Sequence, residues 1–316
     1  LHWSPIALNR LKPYLRWVIL GASLFFLVTT FRVHWQEVAA IRLTAAVWGW
    51  LAIALLTTLI AHIWTGWVWG WILQDLGQPV AAGWATRTYL TTNIAKYLPG
   101  NVWHFYGRIW AAKAQGIGLA IALFSVVLEP LLMAASALMI GLLGLRQVGW
   151  GWQALSLAIA LSLVHPRLLN PVLQRLSRKK ATPDTLGALG DRPSLRHYPL
   201  RPLLGELVFL GLRGLGFLWI VGAFTPLSVP QILPIFSAFS IAWLLGLVVP
   251  GAPGGIGVFE ATAIALLPVQ LTPAVILSSV ACYRLVSTLA EALGAAAAWG
   301  WNRLSPSPSG HNSSQP

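Results

Sequence analysis

Residues 43–73 read LTAAVWGWLAIALLTTLIAHIWTGWVWGWIL, a run without a single Asp, Glu, Lys or Arg. A helix crosses the hydrocarbon core of a bilayer with about 20 apolar residues, so this run is long enough to span with tilt. Trp48 and Trp50 near one end, and Trp64, Trp67, Trp69 and Trp71 near the other, match the aromatic belts found at membrane–water interfaces. The rest of the chain agrees. Of 316 residues, 57% are hydrophobic and 9% charged, with a mean hydropathy of +0.70. A soluble domain carries about 25% charged residues to face water. The expected solvent is lipid.

Working outward, seven further apolar runs follow the same logic. Residues 17–31 come after Arg10, Lys12 and Arg16, as in a signal peptide, but no small-residue cleavage site follows Phe31. They are read as a retained first span. Runs at 117–145 (interrupted by Glu129-Pro130), 148–164, 203–224, 232–249, 258–267 and 272–301 complete a count of about eight. Residues 165–201 form the one hydrophilic loop, with Arg167, Arg175, Arg178, Lys179, Lys180, Arg192, Arg196 and Arg201 against Asp184 and Asp191. The positive-inside rule makes that loop cytoplasmic, and counting crossings from it places both termini in the cytoplasm. The expectation is an all-α polytopic membrane protein. A single transmembrane domain covers 1–302, the basic loop separates two four-span halves, and 303–316 form a disordered cytoplasmic tail. The loops explain the net charge of +13 without nucleic acid. Cys282, the only cysteine, excludes an internal disulfide or a Cys-clustered metal site and reads as a packing residue.

Two segments break the pattern of simple spans. One runs from Asn93 to Arg108 around Pro99-Gly100, inside a mixed stretch, 74–115, too polar for an ordinary span and too apolar for a loop. The other runs from Val249 to Glu260 and holds Pro250, Gly251, Pro253, Gly254, Gly255 and Gly257. Irregular backbone at membrane depth survives only where protein buries it or a wet cavity adjoins it. Paired Gly/Pro-interrupted segments in two halves of a chain point to a transporter site. Broken helices offer free N–H groups and the positive end of a dipole to phosphate or carboxylate oxygens. The two breaks, each flanked by an ionisable residue, are read as a ligand site, the alternative being interfacial kinks and tight packing contacts.

Ionisable residues inside apolar runs each cost about 2.5–3.5 kcal/mol on insertion scales, so they face a cavity or one another. Glu129, Glu206, Arg213, Glu260, Arg284 and Glu291 qualify, while Lys96 and Arg108 flank the first break. Each of these is equally read as half of an interhelical ion pair, and Glu206 and Glu291 also as residues near a membrane surface. His62 reads as a packed polar residue. His104 lies in the first break, where it suits a ligand contact or an interfacial belt. No His-Glu-x-x-His pair, nucleophile elbow, P-loop or paired-carboxylate motif occurs. Catalysis, a cofactor and a metal are accordingly not expected.

Lys96-Tyr97-Leu98-Pro99-Gly100-Asn101-Val102-Trp103 with Gly107-Arg108, and Pro250-Gly251-Ala252-Pro253-Gly254-Gly255-Ile256-Gly257-Val258-Phe259-Glu260, resemble the flippase-like integral-membrane family. That family is related to the membrane half of bacterial lysylphosphatidylglycerol synthases (multiple peptide resistance factors). The resemblance covers about 17–301 and implies an α-helical protein of a bacterial inner (plasma) membrane, with the two Pro/Gly-broken segments re-entrant, that moves a lipid or lipid-linked molecule between leaflets. In the synthases a soluble aminoacyl-transfer domain follows. This sequence ends at Pro316 before any such domain, so transport is expected here rather than lipid aminoacylation.

The expected function is thus a lipid flippase or scramblase-like transporter, driven downhill or by an ion gradient. Its headgroup site is expected at Lys96, Asn101, His104, Arg108, Gly254, Gly255, Gly257, Glu260 and Arg284, with Glu260 as partner of Arg284 or as a proton carrier. The alternative is a membrane-embedded enzyme or accessory subunit of envelope-lipid or glycolipid synthesis that binds a lipid phosphate without moving it. The expected partner is a membrane lipid or lipid-linked substrate. A homo-oligomer and association with envelope-lipid biosynthesis enzymes are compatible with either reading.

Overall fold

A computed structural model describes residues 44–98, 102–144, 149–171, 194–249, 255, 257–267 and 271–304, together with Arg32. Among the described residues every regular element is helical. The principal helices are α1 (Ala45–Asp75), α2 (Ala82–Asn93), α3 (Trp103–Ala114), α4 (Leu119–Leu143), α5 (Trp150–Leu163), α6 (Leu200–Phe224), α7 (Val229–Val248), α8 (Val258–Leu266) and α9 (Pro273–Leu304). A 3-10 turn, Ile94–Tyr97, follows α2 directly.

Five of these helices, α1, α4, α6, α7 and α9, are long and apolar enough to cross a membrane, and the chain is a membrane protein. The expected first span at 17–31, the middle of the basic loop at 172–193 and the tail from 305 lie outside the described residues. The expected spans at 148–164 and 258–267 take the form of α5, with 14 residues, and α8, with nine. At 1.5 Å per residue these reach only about 21 Å and 14 Å, short of a hydrocarbon core about 30 Å thick.

Local chemistry sets the ends of these helices. Thr44 caps α1, its hydroxyl accepting from the Val47 N–H at 3.4 Å. Gly116, at φ +81°, turns the chain between α3 and α4. There the Gly116 N–H donates to the Lys113 carbonyl (2.9 Å) and the Ile117 N–H to that of Ala112 (3.1 Å). Gln231 caps α7 by accepting from the backbone N–H and the hydroxyl of Ser228. Within α4, Pro130 has no N–H to give the Val126 carbonyl, which loosens the helix beside Glu129.

The outer surface of α1 shows which solvent it meets. Ile53, Leu56, Ile60, Ile63 and Trp67 recur every three or four residues and are all exposed. Its other face, including Ala54, Thr58, Ala61, Thr65 and Trp69, is buried. A helix at a water surface would carry charge on the exposed stripe; this one is apolar outside and partly polar inside.

In lipid, helices associate by close packing rather than by hydrophobic expulsion, which favours small residues at their contacts. α1 packs its inner face against α6, α2, α9 and α4. Gly205 of α6 sits so close that a Cβ there would meet Val68 Cγ2 at 2.6 Å and the Trp71 ring at 3.0 Å. The Trp64 indole N–H donates to the Gly205 carbonyl at 2.8 Å across the same contact. Phe217, Phe239, Phe259 and Tyr283 form an aromatic cluster, with Phe259 and Tyr283 stacked at 5.2 Å and Phe217 and Phe239 at 5.3 Å. That cluster fixes the short α8 against α6, α7 and α9. At the far end of α1, Arg201 lies over Trp71 at 4.3 Å, so this end of α1 adjoins the end of the basic loop.

Candidate functional site

The mixed stretch 74–115 resolves into two 12-residue helices, α2 and α3, packed against each other. Each is about 18 Å long, too short to cross the hydrocarbon core. The 3-10 turn brings Lys96 and Tyr97 from the end of α2 towards α9. The second break lies between α7 and α8, where the chain passes Gly246 at van der Waals distance. Gly255 has φ +73°, and a Cβ on it would lie 3.0 Å from both Cα and the carbonyl oxygen of Gly246. Only glycine fits that backbone crossing.

The described flanks of both breaks line one cavity of about 900 Å³. Lys96, His104 and Arg108 reach it from the first break, Gly255 and Phe259 from the second, and Arg284 from α9. Gly257 and Glu260 stand behind the wall formed by Gly255, Phe259 and Arg284. Asn101 and Gly254 lie outside the described residues.

Three of the cavity's cations are tied to carboxylates from other helices. Lys96 donates to Glu291 at 2.6 Å. Arg108, buried, pairs with Glu129 of α4 and lies over the Tyr89 ring at 4.3 Å. Arg284 pairs through Nε with Glu260 and donates from Nη2 to the Gly255 carbonyl at 2.8 Å. Glu260 also accepts from the Gly257 N–H at 2.6 Å. The start of α8 is thereby capped from within its own first turn, and that N–H is not open to a ligand. Glu260 and Arg284 together brace the irregular backbone. His104 is buried, and its Nδ1 has no partner.

The geometry also enrols residues outside the expected set. Arg213 of α6, His62 of α1, and Tyr283 and Ser287 of α9 line the same cavity. Arg213 Nη1 donates to Ser287 Oγ at 2.8 Å and lies 3.1 Å from His62 Nε2. His62 Nε2 is also 3.2 Å from Glu291 Oε1. One ring nitrogen cannot accept from the guanidinium and donate to the carboxylate at once, so the tautomer selects one of the two bonds. A sequence signal for this wall existed: Ser279, Tyr283, Ser287 and Glu291 recur every four residues, one polar face on an apolar helix.

Glu206 and Glu291 both lie in the protein interior. Glu206 accepts from the Thr65 hydroxyl, with Oε1 and Oε2 at 3.2 Å and 3.3 Å. No group of three or more His, Cys, Asp or Glu side chains converges as a metal site would among the described residues. Comparison with protein-family models and with curated proteins returns no match to this sequence.

Proposed function

We propose that the chain moves a lipid or lipid-linked molecule between membrane leaflets, the headgroup passing through the cavity between the two helix breaks while the acyl chains stay among the apolar helices. One observation carries this reading: the flanks of both Pro/Gly breaks, 151 residues apart in sequence (Pro99 to Pro250), line one charged cavity inside an otherwise lipid-facing bundle. Irregular backbone and buried charge are both expensive in a bilayer, and a polar pathway gives them a common use. The resemblance of the two motifs to the flippase-like family supports the same reading. In it, the α2–α3 pair and the α7–α8 break are re-entrant half-length elements of a protein in a bacterial inner membrane. The chain has no P-loop, so the movement runs downhill or on an ion gradient.

Leaflet exchange in proteoliposomes tests it, with headgroup-labelled phospholipids and glycolipids and a membrane-impermeant quencher. Arg108 is too deeply buried for its removal to report on transport alone. Lys96→Gln and Glu260→Gln are the better variants, reconstituted at equal amounts of monodisperse protein. Exchange by the wild type that both variants lose is the expected result. No exchange of any lipid by the wild type would overturn the proposal, and exchange unchanged in both variants would move the headgroup path away from the breaks.

A further inference from the structure

Arg213 is the exception among the cavity's cations. Lys96, Arg108 and Arg284 each have a carboxylate within ion-pair distance. No carboxylate lies within 4.0 Å of Arg213 among the described residues, although it is 95% buried. Glu291 is within its electrostatic reach, but its Oε1 is committed to Lys96 at 2.6 Å and faces His62 at 3.2 Å. Arg213 Nε has no hydrogen-bond partner, and neither has the buried Tyr283 hydroxyl, whose ring lies 5.0 Å from the guanidinium carbon.

A buried cation with no carboxylate in direct contact is costly, and this one sits on the wall of a cavity large enough for a headgroup. A guanidinium presents its N–H groups in a planar fork that fits phosphate oxygens two at a time. Ser287 and Tyr283 add hydroxyls that can donate to the same oxygens. Around this polar corner the cavity is apolar, with Met133, Phe209, Trp243 and Leu247 among its lining, so a free, fully hydrated ion gains less there than a headgroup attached to hydrocarbon.

We propose that Arg213, with Ser287 and Tyr283, forms an anion subsite that takes the phosphate of a lipid headgroup bearing net negative charge. It rests on the transport reading and narrows it: with Glu291 paired to Lys96, the cargo supplies the direct anionic contact that Arg213 lacks, so a zwitterionic headgroup, which brings its own cation, fits less well.

The test is binding to the purified chain in a neutral detergent, read by native mass spectrometry and by thermal shift. Phosphatidylglycerol, phosphatidylcholine of the same acyl chains and inorganic phosphate are the probes. Wild type is expected to bind phosphatidylglycerol about tenfold or more tightly than phosphatidylcholine, the scale of one hydrogen-bonded charge. Arg213→Gln is expected to bring that ratio close to one, and Arg213→Lys, which keeps the charge but not the fork, to leave it intermediate. Inorganic phosphate that fails to compete assigns the subsite to a lipid headgroup. Phosphate that binds where the lipid does not keeps the anion subsite and overturns the lipid as its source. Equal affinities in wild type, or an unchanged ratio in Arg213→Gln, would overturn the subsite. Should Arg213→Gln not fold, the wild-type ratio and its drop in Ser287→Ala decide. Leaflet exchange on the same preparations separates the two proposals. Anion-selective binding without exchange refutes transport and leaves Arg213 in place, whereas exchange indifferent to headgroup charge does the reverse.

Discussion

Replacing one member of the Arg108–Glu129 pair should cost far more than replacing both. Each side chain is 2% exposed, and the two come from different helices, α3 and α4. Glu129→Met strands a guanidinium whose Nε already lacks a partner. The Tyr89 ring at 4.3 Å and the Phe105 ring at 5.6 Å would remain, and each cation–π contact is worth about 0.5–2 kcal/mol. Arg108→Met strands a buried carboxylate. Breaking a buried pair from one side costs about 3–5 kcal/mol, whereas exchanging both members for apolar groups of similar volume is close to neutral. The double variant is therefore expected within about 1 kcal/mol of wild type, giving a coupling energy of at least about 5 kcal/mol. Glu129→Met should be the milder single change, because the aromatic faces partly compensate Arg108. The assay is reversible unfolding by denaturing detergent in mixed micelles, followed by far-ultraviolet circular dichroism. Single variants within about 1 kcal/mol of wild type would refute the argument, and so would a double variant that loses the sum of the two singles.

Other consequences follow from packing and backbone. Gly205→Leu forces side-chain atoms into Val68 and Trp71, so it should destabilise by about 1–3 kcal/mol. Gly211→Ala, with nothing within 4 Å of its Cβ, should be neutral or stabilise by up to about 1 kcal/mol; the same unfolding assay compares them. Gly255→Ala adds a Cβ at positive φ and 3.0 Å from the Gly246 backbone, so a loss of at least about 1–2 kcal/mol is expected, with faster amide exchange at the start of α8. Thr65→Val removes the hydroxyl that reaches both oxygens of Glu206. It should cost about 1–3 kcal/mol, and Glu206→Leu added to it should recover part of that loss.

Much of the helix layout was legible because it depends on local runs. The uncharged stretch 43–73 became Ala45–Asp75, 117–145 became Leu119–Leu143, and 272–301 became Pro273–Leu304. Lengths were legible less often. Residues 148–164 and 258–267 are apolar enough for spans, but Gly149 and the turn at Ser162–His165 bound the first, and Gly257 opens the second. Hydropathy counts apolar residues and does not register such boundaries. The stretch 74–115 was legible as anomalous but not as two packed half-length helices. The pairing of charges was least accessible. Arg108 and Glu129 are 21 positions apart, Lys96 and Glu291 are 195, and Arg213 and His62 are 151. Only the fold brings such partners together, so Arg213 was indistinguishable in sequence from any intramembrane arginine awaiting a carboxylate.

Both breaks are tied to one helix. Glu291 of α9 holds Lys96, and Thr288 stands 3.4 Å from the Tyr97 hydroxyl. Two turns earlier on the same helix, Arg284 holds Glu260 and the Gly255 carbonyl. α9 thus gives the two irregular segments a common datum, with anchor points about 10 Å apart along its axis. An axial slip of α9 by a single residue rise, about 1.5 Å, strains both sets of ties at once. The mechanical independence of the two halves that their separation in sequence suggests is therefore lost in the folded chain, and a displacement at either break is felt at the other.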